Sequence, residues 1–523
     1  MGKTGSARWF WLAGAILFAV THTQSHPFYS NQNQYFLHGM ARAGHGDLNR
    51  DWLANTVDPT PLFSAFIEVG YRTVGLWPTQ ALFFAAIVGY ALSLIWLVRS
   101  LGLRERPWRA ALWFALLLAL HSAPIRIASD RLLGVDYPWF FQAGLANQYV
   151  LGPGLQPSVI GVLLLASIAA FAAKRPVLAA ALAAGPTAIH ATYLLPAAML
   201  VAGYLVALLL AKDWNKAAVT AIVALLLALP AAIFGYLAFG RTDPTEFSEA
   251  QRILAEVRIP HHAVPKRWFD AIAAAQIAWV FLGLACCYRT RLFVPLVVAA
   301  GLALIGTITV LLTNQPTLAL LFPWRLTAVL VPACSAIILH RSIGALPETW
   351  SKVGTSSIVA IAIIAAIAYR NERGFGEPEA EEAVLEYVRQ NRQPGELYLI
   401  PARFPKPSNA RGVSSNTFAR PPDPTKPVYF ELARFRLITG ASLFVDFKSI
   451  PYRSDEVLEW HRRVALCEAW FADGRWTERG VLSDIRKEGI THIAMPKSLG
   501  LQAVGWTKLF EGGAYEVWAE PTK

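Results

Sequence analysis

Eleven stretches of this chain are apolar enough to belong inside a bilayer: residues 9–20, 78–98, 108–120, 150–173, 177–189, 191–211, 217–239, 271–287, 292–312, 323–339 and 358–368. Backbone in hydrocarbon has no water to bond to, so such runs fold as spanning helices. About ten or eleven spans are expected, the shorter ones accommodated by flanking residues or local bilayer thinning. Charged residues are only 16% of the chain, against about a quarter in a soluble domain. The deficit ends abruptly at Arg370, after which Glu372, Arg373, Glu377 and Glu379 follow closely. That step divides a membrane domain, residues 1–369, from a soluble domain, residues 370–523.

The net charge of +12 is explained by where the basic residues lie. With the N-terminus inside, the cytoplasmic turns hold Arg99, Arg104, Arg106 and Arg109, then Lys174 and Arg175, Lys212 and Lys216, Arg289 and Arg291, and Arg341 and Lys352. This is the positive-inside pattern, and no nucleic-acid partner is needed to account for the charge. Lys3 and Arg8 ahead of the first apolar run resemble a secretory signal, but Thr21-His22-Thr23-Gln24 is no small-residue cleavage site, so a retained anchor is expected. An odd number of spans then puts the C-terminal domain outside the cytoplasm, on a multi-pass protein of the plasma (inner) membrane.

Three outer stretches, residues 21–77, 121–149 and 240–270, are too long to be plain connectors. The first mixes aromatic and polar residues and suits short interfacial helices; the third spaces Phe247, Ile253, Leu254 and Val257 along a helix face. The C-terminal domain reads as α/β. A helix is expected over 379–390, strands over 397–400, 442–447 and 490–495, and a Pro-rich loop over 401–427. A helix capped by Ser454 runs to about Phe471, and two last strands meet around Gly512-Gly513.

Several chemistries are disfavoured. No phosphate-binding P-loop occurs. No Asp, Glu, Lys or Arg lies near the middle of a span, where ion-coupled transport places such groups. The four cysteines, Cys286, Cys287, Cys334 and Cys467, form no disulfide framework or metal-ligand pattern. Polar residues gather instead in the outer loops.

In Asn49-Arg50-Asp51-Trp52-Leu53, Asp51 lies just outside the membrane beside aromatic residues. It is either a loop or capping carboxylate, or a partly desolvated general base. Asp58, before Pro59, suits a turn. The second outer stretch offers Arg126, Asp130, Arg131 and Asp136, whose neighbouring opposite charges can pair. Arg258, His261 and His262 can neutralise a phosphate; as metal ligands, adjacent histidines on an extended chain point apart. Arg325 either snorkels to lipid headgroups or holds an anion, and His190 satisfies a helix break.

The layout resembles the GT-C superfamily of polytopic glycosyltransferases: many spans, an acidic residue in the first outer loop, and an outer C-terminal α/β domain. The phrases carrying the likeness are Tyr29-Ser30-Asn31-Gln32-Asn33-Gln34-Tyr35-Phe36, Asp51-Trp52 and Val445-Asp446-Phe447-Lys448-Ser449-Ile450-Pro451, close to uncharacterised bacterial proteins of this layout. The paired acidic motif of several GT-C branches is not evident. The resemblance implies a GT-C-like helical membrane protein that transfers a sugar from a polyprenyl-phosphate donor to a glycan or lipid acceptor of the envelope. Asp51 is then the base, with Arg258, His261, His262, Arg325, Asp58 and Asp130 as substrate-binding candidates. No cofactor is required, a divalent metal is an open option, and membrane lipids are partners. The alternatives are a transporter or lipid flippase, and a non-catalytic envelope protein of the same fold.

Overall fold

The computed structural model describes residues 2–521 except 23, 26, 103–106, 241, 348–349, 351–352, 371–378, 406–431, 473–475 and 477–479. Each expected apolar segment contributes a helix: α1 (Gly2–Thr21), α2 (Trp77–Ser100), α3 (Pro107–His121), α4 (Val162–Ala172), α5 (Pro176–Ala184), α6 (Leu194–Leu210), α7 (Trp214–Phe239), α8 (Ala271–Cys286), α9 (Phe293–Thr313), α10 (Thr327–Gly344) and α11 (Val353–Arg370). Among the described residues five helical stretches are long and apolar enough to cross a membrane, and five further apolar helices are shorter. Helix α7 exposes Ile222, Leu225, Leu226, Leu229 and Ile233, and α9 exposes Leu304, Ile305 and Ile308. Surfaces this apolar belong against lipid, so the chain is a membrane protein.

Two segments depart from expectation. Residues 150–156 form no helix before the 3₁₀ turn Pro157–Gly161, because Pro153, Gly154 and Pro157 interrupt the run. The break at His190 is real: α5 passes into a 3₁₀ turn at Gly185–Ala188, and His190 is extended (φ −148°, ψ 104°) before the chain re-enters helix.

Inside the bundle, polar side chains satisfy one another as hydrocarbon requires. Ser167 hydrogen-bonds Tyr204 (2.8 Å) and donates to the Ala179 carbonyl (2.7 Å), and the Trp113 indole donates to the Ala336 carbonyl (3.0 Å). Small residues allow close helix approach. A Cβ on Gly203 of α6 would overlap the Pro295 carbonyl oxygen of α9, and one on Gly283 of α8 would overlap Cys334 of α10.

The C-terminal region is α/β. Helices α12 (Glu379–Asn391), α13 (Phe435–Thr439), α14 (Ser454–Ala472) and α15 (Val481–Lys487) accompany strands β1 (Leu397–Leu399), β2 (Ser442–Leu443), β3 (His492–Pro496), β4 (Thr507–Gly512) and β5 (Tyr515–Ala519). The sheet order is β2-β1-β3-β5-β4, with β1 parallel to β2 and β3 and the other pairings antiparallel. The strand expected over 442–447 stops at Leu443, because Asp446 turns the chain: its Oδ1 accepts from Ser449 N (2.6 Å). Ser454 is the first residue of α14 and hydrogen-bonds Thr242 (3.2 Å) instead of capping the helix. The expected loop over 401–427 lies outside the described residues from 406 onward.

The long loops fold onto this region. Residues of the third, Ala250, Ile253 and Leu254, share a core with Phe444, Val457, Trp460 and Ile493. The first loop carries the short helices Gln32–Tyr35, Leu37–Arg42 and Pro61–Val74. On the last of these Phe63 and Ile67 face inward, while Leu62, Val69 and Val74 are exposed.

The α6–α9 contact provides a test. Gly203→Val should destabilise the solubilised protein by roughly 1–3 kcal/mol through overpacking. Gly301→Val on α9, where a Cβ meets nothing within 4 Å, should be neutral. Equal melting temperatures for the two variants would contradict this packing.

Candidate functional site: a cluster of basic side chains at one end of the helix bundle

Asp51 follows a 3₁₀ turn (Leu48–Arg50) on extended backbone, φ −65° and ψ 129°. Its side chain is wholly buried, at 0% exposure, and both oxygens are engaged. Oδ1 accepts from the amides of Leu53 (2.9 Å) and Ala54 (3.2 Å). Oδ2 accepts from Arg436 Nε (2.7 Å) and Leu443 N (2.8 Å). Arg436 also donates to Asp446 and, at 3.3 Å, to the Leu443 carbonyl. One buried guanidinium thus joins a carboxylate of the first long loop to one of the C-terminal domain. A carboxylate with four donors upon it is poorly placed to remove a proton, and the geometry favours Asp51 as a structural anchor over the general base expected from the sequence.

The staple is reinforced nearby. Asp47 accepts from Gly395 N (2.8 Å), its own amide donates to the Gly440 carbonyl (2.8 Å), and Ser442 donates to the Asp47 carbonyl (3.1 Å). Trp52 packs into both the bundle core and the C-terminal core, with the Arg463 guanidinium 4.4 Å over its ring.

Beyond Arg436 the Asp446–Ser449 turn presents Phe447 and Lys448 to the third loop. There the chain is π-helical over Ile253–Arg258, and Arg258 ends the segment with its guanidinium 5.3 Å over Phe447 and Nη2 donating to the Lys448 carbonyl. Arg258 Nε is buried with no hydrogen-bond partner among the described residues. Burial, then the Arg258 charge, pushes the Lys448 ammonium down to about 7, with Asp446 opposing. His261 and His262 occupy a helical turn, Pro260–Ala263, rather than extended chain, and their rings lie 4.1 Å apart. His262 Nδ1 lies 2.7 Å from the Ala146 carbonyl, which can only accept, so the proton is on Nδ1. Burial followed by the Arg258 charge holds His261 down at about 4, and burial together with His261 keeps His262 neutral as well.

Arg325 enters from the 3₁₀ turn Pro323–Leu326, aimed by Phe322 in the left-handed region (φ 50°). Its guanidinium lies 5.3 Å over Tyr193, and its charge is felt by Tyr35, Tyr149, His190 and His262. Tyr452 accepts from Gln34 (2.9 Å) and hydrogen-bonds Tyr35. Among the described residues neither Arg258 nor Arg325 pairs with a carboxylate, and Asp446 is already held by Arg436. A buried cation such as Arg258 needs a counter-charge, and with half-buried Arg325 nearby the cluster is suited to an anion bound between the loops.

Four residues expected to bind substrate, Arg258, His261, His262 and Arg325, therefore come together. Asp58 does not join them. It pairs with Arg42 (3.1 Å) and accepts from Thr60 N (2.9 Å) and Ser64 Oγ (3.0 Å), holding the start of helix Pro61–Val74. Asp130 is buried on helix Ala123–Leu133 near the Arg126–Asp136 pair (2.7 Å), away from the cluster. Sequence reasoning missed Lys448, Arg436, Tyr35 and Tyr452. The available signal was Lys448 among apolar residues in Val445-Asp446-Phe447-Lys448-Ser449-Ile450, where a solvated lysine is not expected. No group of three metal-ligating side chains occurs among the described residues.

Two outcomes follow. Asp51→Asn should lower the melting temperature and membrane yield, because an amide cannot accept all four donors, at about 1–3 kcal/mol. Normal yield with lost activity would restore the general-base assignment. Lys448 has a lowered folded pKa, so below about pH 7 the folded protein carries a buried charge that opposes folding, and the penalty fades as pH rises. Lys448→Met should therefore raise the melting temperature more at pH 6 than at pH 9. An equal effect at both would place the ammonium in solvent.

The family model described as Domain of unknown function (DUF6798) matches residues 418–467, a stretch that holds Arg436, Asp446, Lys448 and Tyr452. No curated protein matches the chain. Among solved structures, the chain is similar to ArnT from Cupriavidus metallidurans bound to undecaprenyl phosphate, at 13% identity and TM-score 0.42, covering 99% of this chain and 98% of that one. The apo state of the same protein gives 12%, 0.42 and the same coverage. The Archaeoglobus fulgidus oligosaccharyltransferase in complex with Zn and sulfate gives 11% and 0.44, over 98% of this chain and 73% of that one.

Proposed function

We propose that the chain is a GT-C-like glycosyltransferase that moves a sugar from a polyprenyl-phosphate donor to an envelope acceptor on the outer face of the plasma membrane, with its C-terminal domain extracytoplasmic. The observation that carries this reading is the cluster of buried Arg258 with half-buried Lys448 and Arg325, with Arg258 Nε unpartnered among the described residues. It lies where the outer loops and the C-terminal domain meet at the end of an apolar bundle. A lipid phosphate suits that place, its charge among the cations and its tail along the helices.

In the transfer, an acceptor hydroxyl oxygen bonds to the anomeric carbon and the bond from that carbon to the phosphate oxygen breaks. The electron pair goes to the departing phosphate, whose oxygen takes up the proton released by the acceptor hydroxyl. Arg258 and Arg325 stabilise the charge that develops there, in a water-poor site where fixed cations act strongly. Phosphate bound beside Lys448 draws its pKa upward, so binding takes up a proton and weakens as pH rises above about 7. Asp51 serves by holding the Asp446–Ser449 turn in place.

A second reading rests on the engaged oxygens of Asp51: a non-catalytic protein that binds lipid-linked sugars. Mass spectrometry of lipid-linked sugars and envelope glycans, in cells with and without the gene, separates the two. Transfer predicts accumulated donor and one missing glycan, restored by wild type. Arg258→Ala and Arg325→Ala at equal membrane abundance should restore it at least about 100-fold less well. Unchanged profiles together with retained binding of polyprenyl-phosphate sugar by the purified protein would establish the second reading. Substrate movement in liposomes without covalent product would favour a transporter or flippase.

A further inference from the structure

His190 sits in the break between α5 and α6, within the field of Arg325. The backbone of the break is satisfied without its side chain. The His190 amide donates to the Pro186 carbonyl (3.0 Å), and the His190 carbonyl accepts from Tyr193 N (3.0 Å). The imidazole is therefore not what completes the break, contrary to the expectation from the sequence. Its side chain is only 7% exposed, yet neither ring nitrogen has a hydrogen-bond partner among the described residues. Neither nitrogen is sealed off from a probe the size of water, so a small polar group can reach the ring.

Two fixed aromatic rings aim the imidazole. Tyr35, on the first long loop, meets it edge to face at 5.6 Å, and Tyr193 does so at 5.9 Å. The Tyr193 hydroxyl donates to the Ser158 carbonyl, and the Tyr35 hydroxyl is hydrogen-bonded to Tyr452. The same neighbours locate the ring at the anion site. Arg325 lies 5.3 Å over Tyr193, and Tyr35 is within the fields of both Arg325 and Arg258. Burial, then the Arg325 charge, holds the His190 imidazole well below its ordinary range, so it is neutral. A phosphate bound against Arg325 offsets that charge and makes the imidazole more basic when substrate is present.

Other buried histidines show the ordinary arrangement. His121 is bonded to the Leu117 carbonyl (2.8 Å) and to the Tyr90 hydroxyl (3.0 Å), and His262 is bonded to the Ala146 carbonyl (2.7 Å). Leaving a buried imidazole without bonds costs stability, and a ligand that supplies the missing partner offsets that cost. The carboxylates nearby are already committed, since Arg436 holds both Asp51 and Asp446. His190 is thus an uncommitted proton acceptor beside the cations.

We propose that His190 is the general base of the transfer, the group that takes the proton of the acceptor hydroxyl. The assignment rests on the lipid-phosphate reading above. As the acceptor oxygen bonds to the anomeric carbon, its proton passes to the free lone pair of the imidazole. The bond from that carbon to the phosphate oxygen breaks, and its electron pair stays on the phosphate beside Arg258 and Arg325. The imidazolium then gives the proton to that phosphate oxygen, so His190 is neutral again when the lipid leaves. A base positioned in this way contributes about 100-fold to 10,000-fold in rate.

Two measurements test it. Transfer is read as the glycan restored in cells that lack the gene, and binding as the affinity of the full-length protein in nanodiscs for polyprenyl phosphate. His190→Phe keeps an aromatic ring between Tyr35 and Tyr193, and His190→Gln keeps a donor and an acceptor but takes up no proton. At equal membrane abundance both should restore the glycan at least about 100-fold less well than wild type, with donor accumulated. Both should bind polyprenyl phosphate within about twofold of wild type, because the lost interaction belongs to the transition state. Either variant suffices where the other fails to accumulate in the membrane. Transfer retained by His190→Phe would reduce the residue to packing, and transfer retained by His190→Gln would reduce it to a hydrogen bond; either overturns the assignment. Loss of polyprenyl phosphate binding by both would overturn it too, making His190 part of the anion seat. The underlying reading fails separately: a wild-type gene that restores no glycan, or wild-type protein that binds no polyprenyl phosphate, removes it and this inference with it.

Discussion

Arg436 is held between two buried carboxylates contributed by parts of the chain nearly 400 residues apart. Asp51 brings the first long loop, Asp446 brings the turn that displays Lys448, and the Leu443 carbonyl at the end of β2 takes a further guanidinium bond. Burying such a triad is expensive, and the reward is uniqueness rather than net stability: an arrangement in which Arg436 is displaced leaves two buried carboxylates unpaired. The loop and the domain have one satisfactory docking, and that docking places the Asp446–Ser449 turn against Arg258. The anion site is downstream of this register.

The membrane bundle was legible from the sequence because hydrocarbon imposes a single strong condition on length and polarity. All eleven apolar runs contribute helices, and the interruption at His190 was visible as a polar residue between two of them. The failures occurred where local pattern competes with side-chain hydrogen bonding. Residues 150–156 are largely apolar but carry glycine and proline, and residues 444–447 are rich in strand-forming side chains but are turned by Asp446.

The site divided along similar lines. Arg258, His261, His262 and Arg325 were identifiable because basic side chain types in the long loops of a membrane protein have few roles. Asp51 was conspicuous for the right reason, a carboxylate among aromatic residues, yet its partner lies 385 positions away, and no spacing rule links the two. Tyr35, Tyr452 and Lys448 converge only after three loops fold together. The same fact explains the histidine pair. On an extended chain the rings diverge, whereas the turn begun by Pro260 brings them to 4.1 Å.

The shared core of the third loop and the C-terminal domain has a consequence for how the protein is made. Ala250, Ile253 and Leu254 emerge between α7 and α8, long before Trp460 and Ile493 are synthesised. Until then that stretch and the Asp51 segment remain half-built surfaces, one greasy and one bearing an unmatched negative charge. A ribosome stalled late, or a protease that trims the tail, would therefore leave an inserted but unfinished bundle, and the cell's membrane surveillance would meet it as an orphan. The last quarter of the chain acts as the keystone of the first long loop, so completion of translation, rather than insertion, marks the moment at which the site can exist.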